Sequence, residues 1–232
     1  YFSRGRDLHV DVYYSKKQGD GWTEPVAATG INVKDFPTGA AHSQDDKTMY
    51  FSSIRPGVLG GSDIFVCEKK NGKWVNPKNL GAPVNTAAME SEPFISRDGK
   101  TLYFASSRKG GKGKADIYVS RKNGDTWTQP VNIGSPVNSS EDDTQPFVTE
   151  DGQELYFQAM NRKGVPGPAI FRSIRQGDAW GEPELVVSGF VGEPTLTSDK
   201  KYLYFVHIIL KGGKLTDAEI MYTRKSESGS GG

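Results

Sequence analysis

Residues 91–138 have the sequence SEPFISRDGKTLYFASSRKGGKGKADIYVSRKNGDTWTQPVNIGSPVN, and shifted copies of this stretch occupy nearly the whole chain. A Tyr-Phe pair marks the copies at intervals of 49, 53, 53 and 48 residues, at Tyr1/Phe2, Tyr50/Phe51, Tyr103/Phe104, Tyr156/Phe157 and Tyr204/Phe205. A tryptophan follows the pair in the first four copies, at Trp22, Trp74, Trp127 and Trp180. Repeats of this length with several strand-like runs are typical of propeller blades. The sequence therefore predicts an all-β fold, a β-propeller.

Each complete copy divides into four strand-like runs, which we name strands a to d. In the third copy they are Pro93–Arg97, Thr101–Ser106, Asp116–Arg121 and Thr126–Ile133. Asp-Gly at 98–99 and Asn-Gly at 123–124 favour tight hairpin turns between a and b and between c and d. The b-to-c and d-to-a connections are longer and emerge at the opposite end, here called the long-loop face. Because binding residues concentrate on loops held by a rigid scaffold, this face is the expected site.

The copies predict five blades of four antiparallel strands, with the first and last blades incomplete. The first copy enters at strand b and the last stops after strand c. The repeats cover about 1–36, 37–90, 91–143, 144–193 and 194–225 of a single domain, and 226–232 form a flexible tail or linker. We expect the missing inner strand of the first blade to come from upstream residues of a parent protein or from elsewhere in the structure, since an open sheet edge there is a defect.

Composition narrows the function classes. The chain has 29 Lys and Arg against 28 Asp and Glu, a net charge of +1, which argues against nucleic acid as a partner. Its one cysteine, Cys67, permits neither an intrachain disulfide nor a cysteine metal cluster. No apolar run approaches the ~20 residues of a transmembrane helix, and no signal segment is present. Because the chain starts inside a strand motif, we expect an exported protein whose signal segment has been removed.

Strand a lines the channel of a propeller, and its residues differ between copies. Alignment on the Tyr-Phe pair places four residues at one level: Gly39, Glu92, Gln145 and Glu193. The adjacent loops add further acids: Asp35, Glu90, Glu141, Asp142 and Asp143. An acidic mouth of this kind could hold Ca²⁺ near Glu90, Glu92 and Asp142, or provide a catalytic pair from Glu92, Glu193 and Asp142. The remaining alternative is a solvated funnel without a ligand.

Charged residues also surround the b-to-c loops. Arg and Asp flank these loops at Arg4/Asp11, Arg55/Asp63 and Arg108/Asp116, and such recurrence favours a structural pair across each hairpin. The recurring tryptophans likewise favour packing between blades. Arg108 and Arg162 belong to a basic rim around the acidic mouth, so both are candidate ligand contacts. The three histidines occupy unrelated repeat positions and no Gly-x-Ser-x-Gly elbow occurs, so nucleophilic catalysis finds no support.

The phrase P-F-x-x-x-D-G-K-x-L-Y-F-x-S-x-R at 93–108, followed by D-I-Y-V at 116–119, resembles the TolB-like, WD-repeat-like propeller repeat of bacterial envelope proteins. The extension W-x-x-P-V-N-x-G-x-P-V-N at 127–138 looks like the version in exported proteins of Bacteroidota, where it often accompanies peptidoglycan-binding OmpA-like modules. The fourth copy departs from the pattern at Ala169, which stands in place of the strand-c Asp. The resemblance implies a fold more than a function, because proteins with this repeat include transport accessory proteins, peptidases and glycan-acting proteins.

We therefore expect a non-catalytic scaffold or recognition module of the bacterial cell envelope, in the periplasm or associated with the outer membrane. Its long-loop face would bind a protein, peptide or cell-wall ligand without a cofactor, apart from the possible Ca²⁺, and the chain would be part of a larger multidomain protein or complex. The predicted ligand contacts are Glu92, Gln145, Glu193, Glu141, Asp142, Asp143, Arg108 and Arg162. Two alternatives stay open: a glycoside hydrolase or lyase using the channel carboxylates, and a truncated or engineered repeat scaffold without native activity.

Overall fold

A computed structural model describes the backbone of residues 2–6, 9–19, 21–32, 38–42, 45–212 and 214–225. Side chains are described within 11–19, 21–32, 45–212 and 216–225, so the predicted tail and Asp35 lie outside the described residues. The backbone consists of strands and turns, with one short 3-10 turn at Arg162–Gly164. Within these ranges no helix has the length and hydropathy to cross a membrane.

The strands follow the repeats. The first repeat forms β1 (Phe2–Arg6), β2 (His9–Tyr14), β3 (Lys17–Gln18), β4 (Gly21–Trp22) and β5 (Val26–Ala27). The second forms β6 (Thr38–His42), β7 (Thr48–Ser53), β8 (Asp63–Lys70) and β9 (Lys73–Asn79). The third forms β10 (Glu90–Ile95), β11 (Thr101–Ser106), β12 (Asp116–Asn123), β13 (Thr126–Trp127) and β14 (Val131–Asn132). The fourth forms β15 (Asp143–Val148), β16 (Glu154–Met160), β17 (Pro168–Gln176), β18 (Ala179–Trp180) and β19 (Glu184–Val187). The fifth forms β20 (Val191–Leu196), β21 (Tyr202–Lys211) and β22 (Lys214–Arg224).

In repeats two to five, strands a, b and c are neighbours in one antiparallel sheet, whereas the first repeat forms a three-stranded sheet that begins at strand b. The orders are β1-β2-β5 beside a β3-β4 hairpin, then β6-β7-β8-β9, β10-β11-β12 with β13 and β14 on β12, β15-β16-β17 with β18 and β19 on β17, and β20-β21-β22. The all-β propeller prediction is confirmed, and the incomplete sheets are the first and last, as predicted. The propeller arrangement has four blades where the repeats predict five, and the first and last sheets have three strands each.

Local chemistry explains the strand ends. Gly99 and Gly124 lie in the a-to-b and c-to-d turns with φ of 68° and 59°, the left-handed conformation that their Asp-Gly and Asn-Gly dipeptides predict. The prediction of strand d as one continuous run is wrong, because the strand is interrupted between β13 and β14. The break falls at Thr128–Pro130, where proline has no N–H for the ladder and Ser120 Oγ donates to the Thr128 carbonyl at 2.6 Å.

The core lies between neighbouring sheets, not inside any one of them. Ile64, Ile117 and Ile170 occupy the same position of strand c in repeats two to four, and all three are fully buried. Each packs against the next sheet in the chain, as Ile64 does against Leu102 and Phe104. Burying one such side chain contributes about 1.5–3 kcal/mol. Successive sheets are therefore held face to face mainly by the hydrophobic effect.

The tryptophans complete these interfaces from the other side. Trp74, Trp127 and Trp180 each pack on the preceding sheet, and the Trp127 ring meets the Tyr50 ring edge-on at 6.1 Å. Trp22 belongs to the first sheet, has no preceding sheet in the described chain, and is 60% exposed. Packing between blades is thus the role of three of the four tryptophans.

The recurring arginines also join neighbouring repeats. The guanidinium groups of Arg55, Arg108 and Arg162 each donate to a carbonyl of the preceding repeat at 2.5 Å. Each group also stacks within 6 Å of two aromatic rings of its own sheet, a cation–π arrangement. The arginines therefore act structurally, as recurrence predicts. They bind carbonyls of the preceding repeat, and Arg108 and Arg162 also pair with an acidic residue of strand a in their own repeat. The expected pairing of Arg108 with Asp116 across the hairpin is therefore wrong.

The Pro-Val-Asn extension has a structural role too. The side-chain amide of Asn138 pairs with strand c as the backbone of a neighbouring strand would: it accepts from the Ile117 N–H at 3.0 Å and donates to the Ile117 carbonyl at 2.9 Å. It also donates to Asn132, which in turn donates to Asp116. Asp116 accepts the N–H groups of Lys112 and of residue 113, which orders the b-to-c loop. The extension thus fixes strand c and the adjacent loops from one buried polar network.

The fifth sheet is anchored to the fourth by charge as well as by packing. Glu154, nearly buried in β16, accepts from Lys225 Nζ at 2.7 Å, from the Tyr156 hydroxyl at 2.9 Å and from Lys200 Nζ at 3.4 Å. Burial opposes ionisation of this carboxyl, yet the lysine hydrogen bond and charge leave the pKa of Glu154 below its usual value. The C-terminal end of β22 is therefore fixed to the fourth sheet.

The contrast between tryptophans gives a matched pair of variants. Trp180→Ala removes a side chain buried between the third and fourth sheets and should lower the free energy of unfolding by about 3–5 kcal/mol. Trp22→Ala removes an exposed ring and should change it by less than about 1 kcal/mol. Guanidinium unfolding of both variants tests this, and equal losses would contradict the packing order described above.

Candidate functional site

The candidate site is built on a β-bulge that recurs in strand a. The register of strand a against strand b shifts at Glu92, Gln145 and Glu193, each followed by proline. These three residues have φ of 54°, 53° and 53°, a left-handed backbone that costs a non-glycine residue energy. The second repeat has the same shift between Thr38 and Ala41, where Gly39 brings no side chain. A bulge re-aims a side chain, and here it aims the Glu92 and Gln145 side chains at the next bulge along the chain.

The three side chains form a hydrogen-bonded ladder from sheet to sheet. The backbone N–H of Gln145 donates to Glu92 Oε2 at 2.9 Å, and the Gln145 amide lies 3.4 Å from Glu92 Oε1. The backbone N–H of Glu193 donates to Gln145 Oε1 at 2.6 Å. Glu92 and Gln145 thus each accept the N–H of the next bulge residue. Three of the four residues that the sequence aligns at one level therefore come together: Glu92, Gln145 and Glu193.

Gly192 makes the last step of the ladder possible. A Cβ on this residue would lie 2.3 Å from the Gln158 amide nitrogen and 2.4 Å from Gln145 Oε1. Gln158 Nε2 in turn donates to the Val191 carbonyl at 3.0 Å. Any side chain at 192 would displace both glutamines, so the glycine is required for their approach.

Glu193 is the open end of this ladder. Its carboxyl has no hydrogen-bond or ion-pair partner among the described residues, since the last sheet has no successor there to offer an N–H. Burial, and then the nearby charge of Glu92, raises the pKa of Glu193 to about 7. Burial also raises the pKa of Glu92, against the hydrogen bonds from Gln145. The channel wall therefore carries one carboxyl that is occupied and one that is unoccupied and titrates near neutral pH.

The predicted loop acids have internal partners. Glu90 is fully buried and accepts from Thr86, from the Ser106 hydroxyl at 2.8 Å and from Arg108 at 3.2 Å. Asp143 holds the same place in the fourth repeat, where it accepts from Ser139 and Arg162. Burial raises the pKa of Asp143 despite these hydrogen bonds.

The remaining loop acids and the two arginines are also placed by the fold. Asp142 Oδ1 accepts the Ala115 N–H at 3.0 Å, and the Glu141 carbonyl lies where a Cβ on residue 113 would be. The guanidinium groups of Arg108 and Arg162 are used between repeats, as described above. A ligand role for these four residues and for Asp143 stays a prediction, and their contacts give it no support.

The described side chains do not favour the calcium hypothesis. No three His, Cys, Asp or Glu side chains of the described ranges lie close enough together to hold a metal ion. Glu90 and Glu92 already accept several N–H and O–H donors, which leaves Asp142 without a partner ligand. A calcium site on Glu90, Glu92 and Asp142 stays a prediction that the described contacts do not support.

Sequence reasoning missed two features of this region. The first is the left-handed backbone at the bulge, for which the only sequence signal is a proline after Glu92, Gln145 and Glu193. The second is Phe190, an exposed aromatic residue with φ of 62° whose ring lies over Gly167, where a Cβ would come within 3.1 Å of it. Bulky residues rarely adopt this conformation, so Phe190 is a strained apolar contact in the loop leading to β20.

A separate groove lies between the fourth and fifth sheets at the tight-turn end. It measures about 170 Å³ and is lined by Phe147, Thr149, Thr195, Thr197 and Lys200, among others. Ligand pockets usually measure ~300–1,000 Å³, so this groove is small for a sugar or a drug-sized molecule. It also lies at the end opposite the long loops.

Comparison with known proteins bears on the fold. No family model and no curated protein matches the chain. Among solved structures, TolB from Acinetobacter baumannii is similar with a TM-score of 0.61 at 19% identity, over 93% of this chain and 46% of that one. The chain has a TolB-like propeller fold.

Other solved structures share this arrangement. A putative TolB from Agrobacterium tumefaciens matches with a TM-score of 0.53 at 16% identity, over 91% of this chain and 70% of that one. An alpha-L-arabinofuranosidase from Lactobacillus brevis matches with a TM-score of 0.55 at 17% identity, over 86% of this chain and 77% of that one. The chain spans less than half of the Acinetobacter protein, and identities this low carry the fold alone.

The raised pKa of Glu193 predicts a pH-dependent stability. Because the folded-state pKa of about 7 exceeds the usual 4.5, the carboxyl favours folding below pH 4.5 and loses this contribution as pH rises through 7. The free energy of unfolding of Glu193→Gln, relative to that of wild type, should thus increase by about 1–3 kcal/mol as the pH rises from 5 to 8. Urea unfolding at both pH values measures it, with Asp125→Asn, an exposed turn carboxylate, as the control. A difference that does not change with pH would contradict burial of the Glu193 carboxyl.

Proposed function

We propose that the chain is a non-catalytic recognition module that binds a protein or peptide at the long-loop end of its channel, through Glu193. The observation that supports this most is the Glu193 carboxyl, held by a strained bulge next to Glu92 and without a partner among the described residues. Strained backbone persists where the surrounding structure imposes it, and it concentrates at ligand sites. The regular blades provide the rigid scaffold on which such a site depends.

The chemistry of the ladder indicates the ligand class. The side-chain oxygens of Glu92 and Gln145 each accept a backbone N–H from the next sheet. By the same geometry, the carboxylate of Glu193 is placed to accept from an N–H donor. An ammonium group provides such donors and also a charge that offsets Glu92 and Glu193. A peptide with a lysine side chain or a free amino terminus entering the channel fits these requirements. The apolar ring of Phe190 in the loop before β20 offers an adjacent contact for the rest of such a peptide.

The location belongs to the same proposal. The TolB-like fold and the repeat phrase support a bacterial cell-envelope protein, in the periplasm or associated with the outer membrane, and the Pro-Val-Asn extension supports the likeness to exported proteins of Bacteroidota with OmpA-like modules. The chain would then act inside a larger protein or complex and present its long-loop face to a protein, peptide or cell-wall component.

Binding of a lysine pentapeptide with a free amino terminus tests the proposal by calorimetry. We expect wild type to bind it about tenfold more tightly at pH 8 than at pH 6, because Glu193 must be ionised to hold an ammonium group and its pKa is about 7. Glu193→Gln should lose the binding and its pH dependence, whereas Asp125→Asn should keep both. Equal binding by wild type and Glu193→Gln would exclude Glu193 as the contact.

A glycoside hydrolase or lyase is the second candidate, favoured by one observation. A carboxyl with a pKa of about 7 beside a second carboxyl is the arrangement of a general acid and its partner. Against it, Glu92 is occupied by Gln145, and the groove described above lies at the other end. Release of nitrophenol from 4-nitrophenyl α-L-arabinofuranoside, lost in both Glu92→Gln and Glu193→Gln, would favour the enzyme. We expect no release.

A further inference from the structure

The last sheet exposes a face that every preceding blade buries. Ile220 occupies the strand-c position of Ile64, Ile117 and Ile170, because each pairs with the equivalent residue of strand b. Those three isoleucines are fully buried against the next sheet, whereas Ile220 is 57% exposed. Ile220 is therefore exposed because no described sheet covers it, and not because its position in the repeat is a polar one.

The neighbouring residues extend this face. Tyr222 occupies the position of Val66 and Val119, which lie partly buried between sheets, and it is 64% exposed. Its ring packs within its own sheet, against Tyr202 and Tyr204 at 5.9 and 5.7 Å between ring centroids. No described strand pairs with the outer edge of β22. We call Ile220, Tyr222 and Tyr204 the tail face.

The first sheet exposes the opposite half of the same interface. Trp74, Trp127 and Trp180 each pack on the sheet before them, and Trp22, the equivalent residue, is exposed. We call the exposed Trp22 side of the first repeat the head face. Within the chain, a tryptophan of the head type meets a tyrosine of the tail type, as Trp127 meets Tyr50 at 6.1 Å.

We propose that the head face of one copy docks on the tail face of a second copy, so that the chain self-associates head to tail. The interface would repeat the contact that already joins successive sheets inside the chain, with Trp22 placed on Tyr204 and Ile220 covered by the first sheet of the partner. A second copy is the occupant because its head face is the one described surface with the matching half of this contact, and both halves stay exposed within a single chain.

A head-to-tail contact is heterologous, which means that it joins two different surfaces and does not end at a symmetric dimer. Each copy keeps one free head and one free tail, and the average mass should rise with concentration instead of stopping at a dimer. The face is also made of large apolar side chains that a monomeric protein rarely clusters on its surface. Lys225 and Glu154 fix the end of β22 on the fourth sheet, so the tail face is presented by a well-anchored strand.

Sedimentation equilibrium across about 5–200 μM tests the proposal. Wild type should rise in mass with concentration, while Trp22→Glu and Ile220→Glu should each stay monomeric. An equimolar mixture of these two variants should form a dimer and nothing larger, since Trp22→Glu keeps an intact tail and Ile220→Glu an intact head. Val131→Glu places the same charge on an exposed apolar residue of another sheet and should associate like wild type.

Three results would overturn the proposal. Wild type that stays monomeric over this range has no such interface. Association of Ile220→Glu or Trp22→Glu alone would indicate head-to-head or tail-to-tail contact. Loss of association in Val131→Glu would indicate nonspecific apolar clustering. Because all three substituted residues are exposed, circular dichroism should show the folded spectrum of wild type for each variant.

Discussion

Burial of both faces of each sheet against its neighbours is the interaction on which this molecule depends. A blade of three or four short strands has too little interior for a core of its own, so strand-c isoleucines and strand-d tryptophans form the core between blades. The buried arginines and the Asn138 network lie at the rims of these interfaces, where they satisfy backbone groups that stacked sheets remove from water. Stability is consequently a property of pairs of repeats. The first and last sheets, which have one neighbour each, are where that stabilisation stops.

The same stacking explains why the bulge in strand a carries the variable chemistry. Strand a contributes buried side chains such as Phe94 and Ile95 to the core, but its bulge residues lie outside the apolar clusters. A left-handed residue there directs its side chain toward the next sheet, and any acceptor that reaches the following N–H satisfies the structural need. Glu92 and Gln145 both do so, which shows that the position tolerates a charged or a neutral side chain. Selection by a ligand can thus act on it without disturbing the blades.

Sequence reasoning succeeded where the repeat determines local structure and failed where the contact partner lies in another repeat. Period, turn dipeptides and strand alternation predict the sheets, the tight turns and the level shared by Glu92, Gln145 and Glu193. They cannot show that Arg108 reaches the preceding repeat instead of Asp116, since both residues flank one loop in the sequence. They also cannot separate Glu90 and Asp143, which are buried acceptors, from Glu193, which has the same charge but no donor in the part of the chain that the structure describes. That distinction depends on which sheet comes next, and hence on tertiary order.

Glu193 without a donor and Ile220 without a cover have one origin, since both belong to the sheet that no described sheet follows. The molecule that binds the Glu193 carboxyl need not be the one that covers Ile220. A second copy docked through its head face would present the strands of the first sheet, whose inner strand β1 corresponds to strand b. It would cover Ile220 in strand c, and the described strands of that sheet, β1, β2 and β5, include none that corresponds to strand a. Self-association would therefore leave the Glu193 carboxyl open to a ligand, and Ile220→Glu should abolish one process while sparing the other.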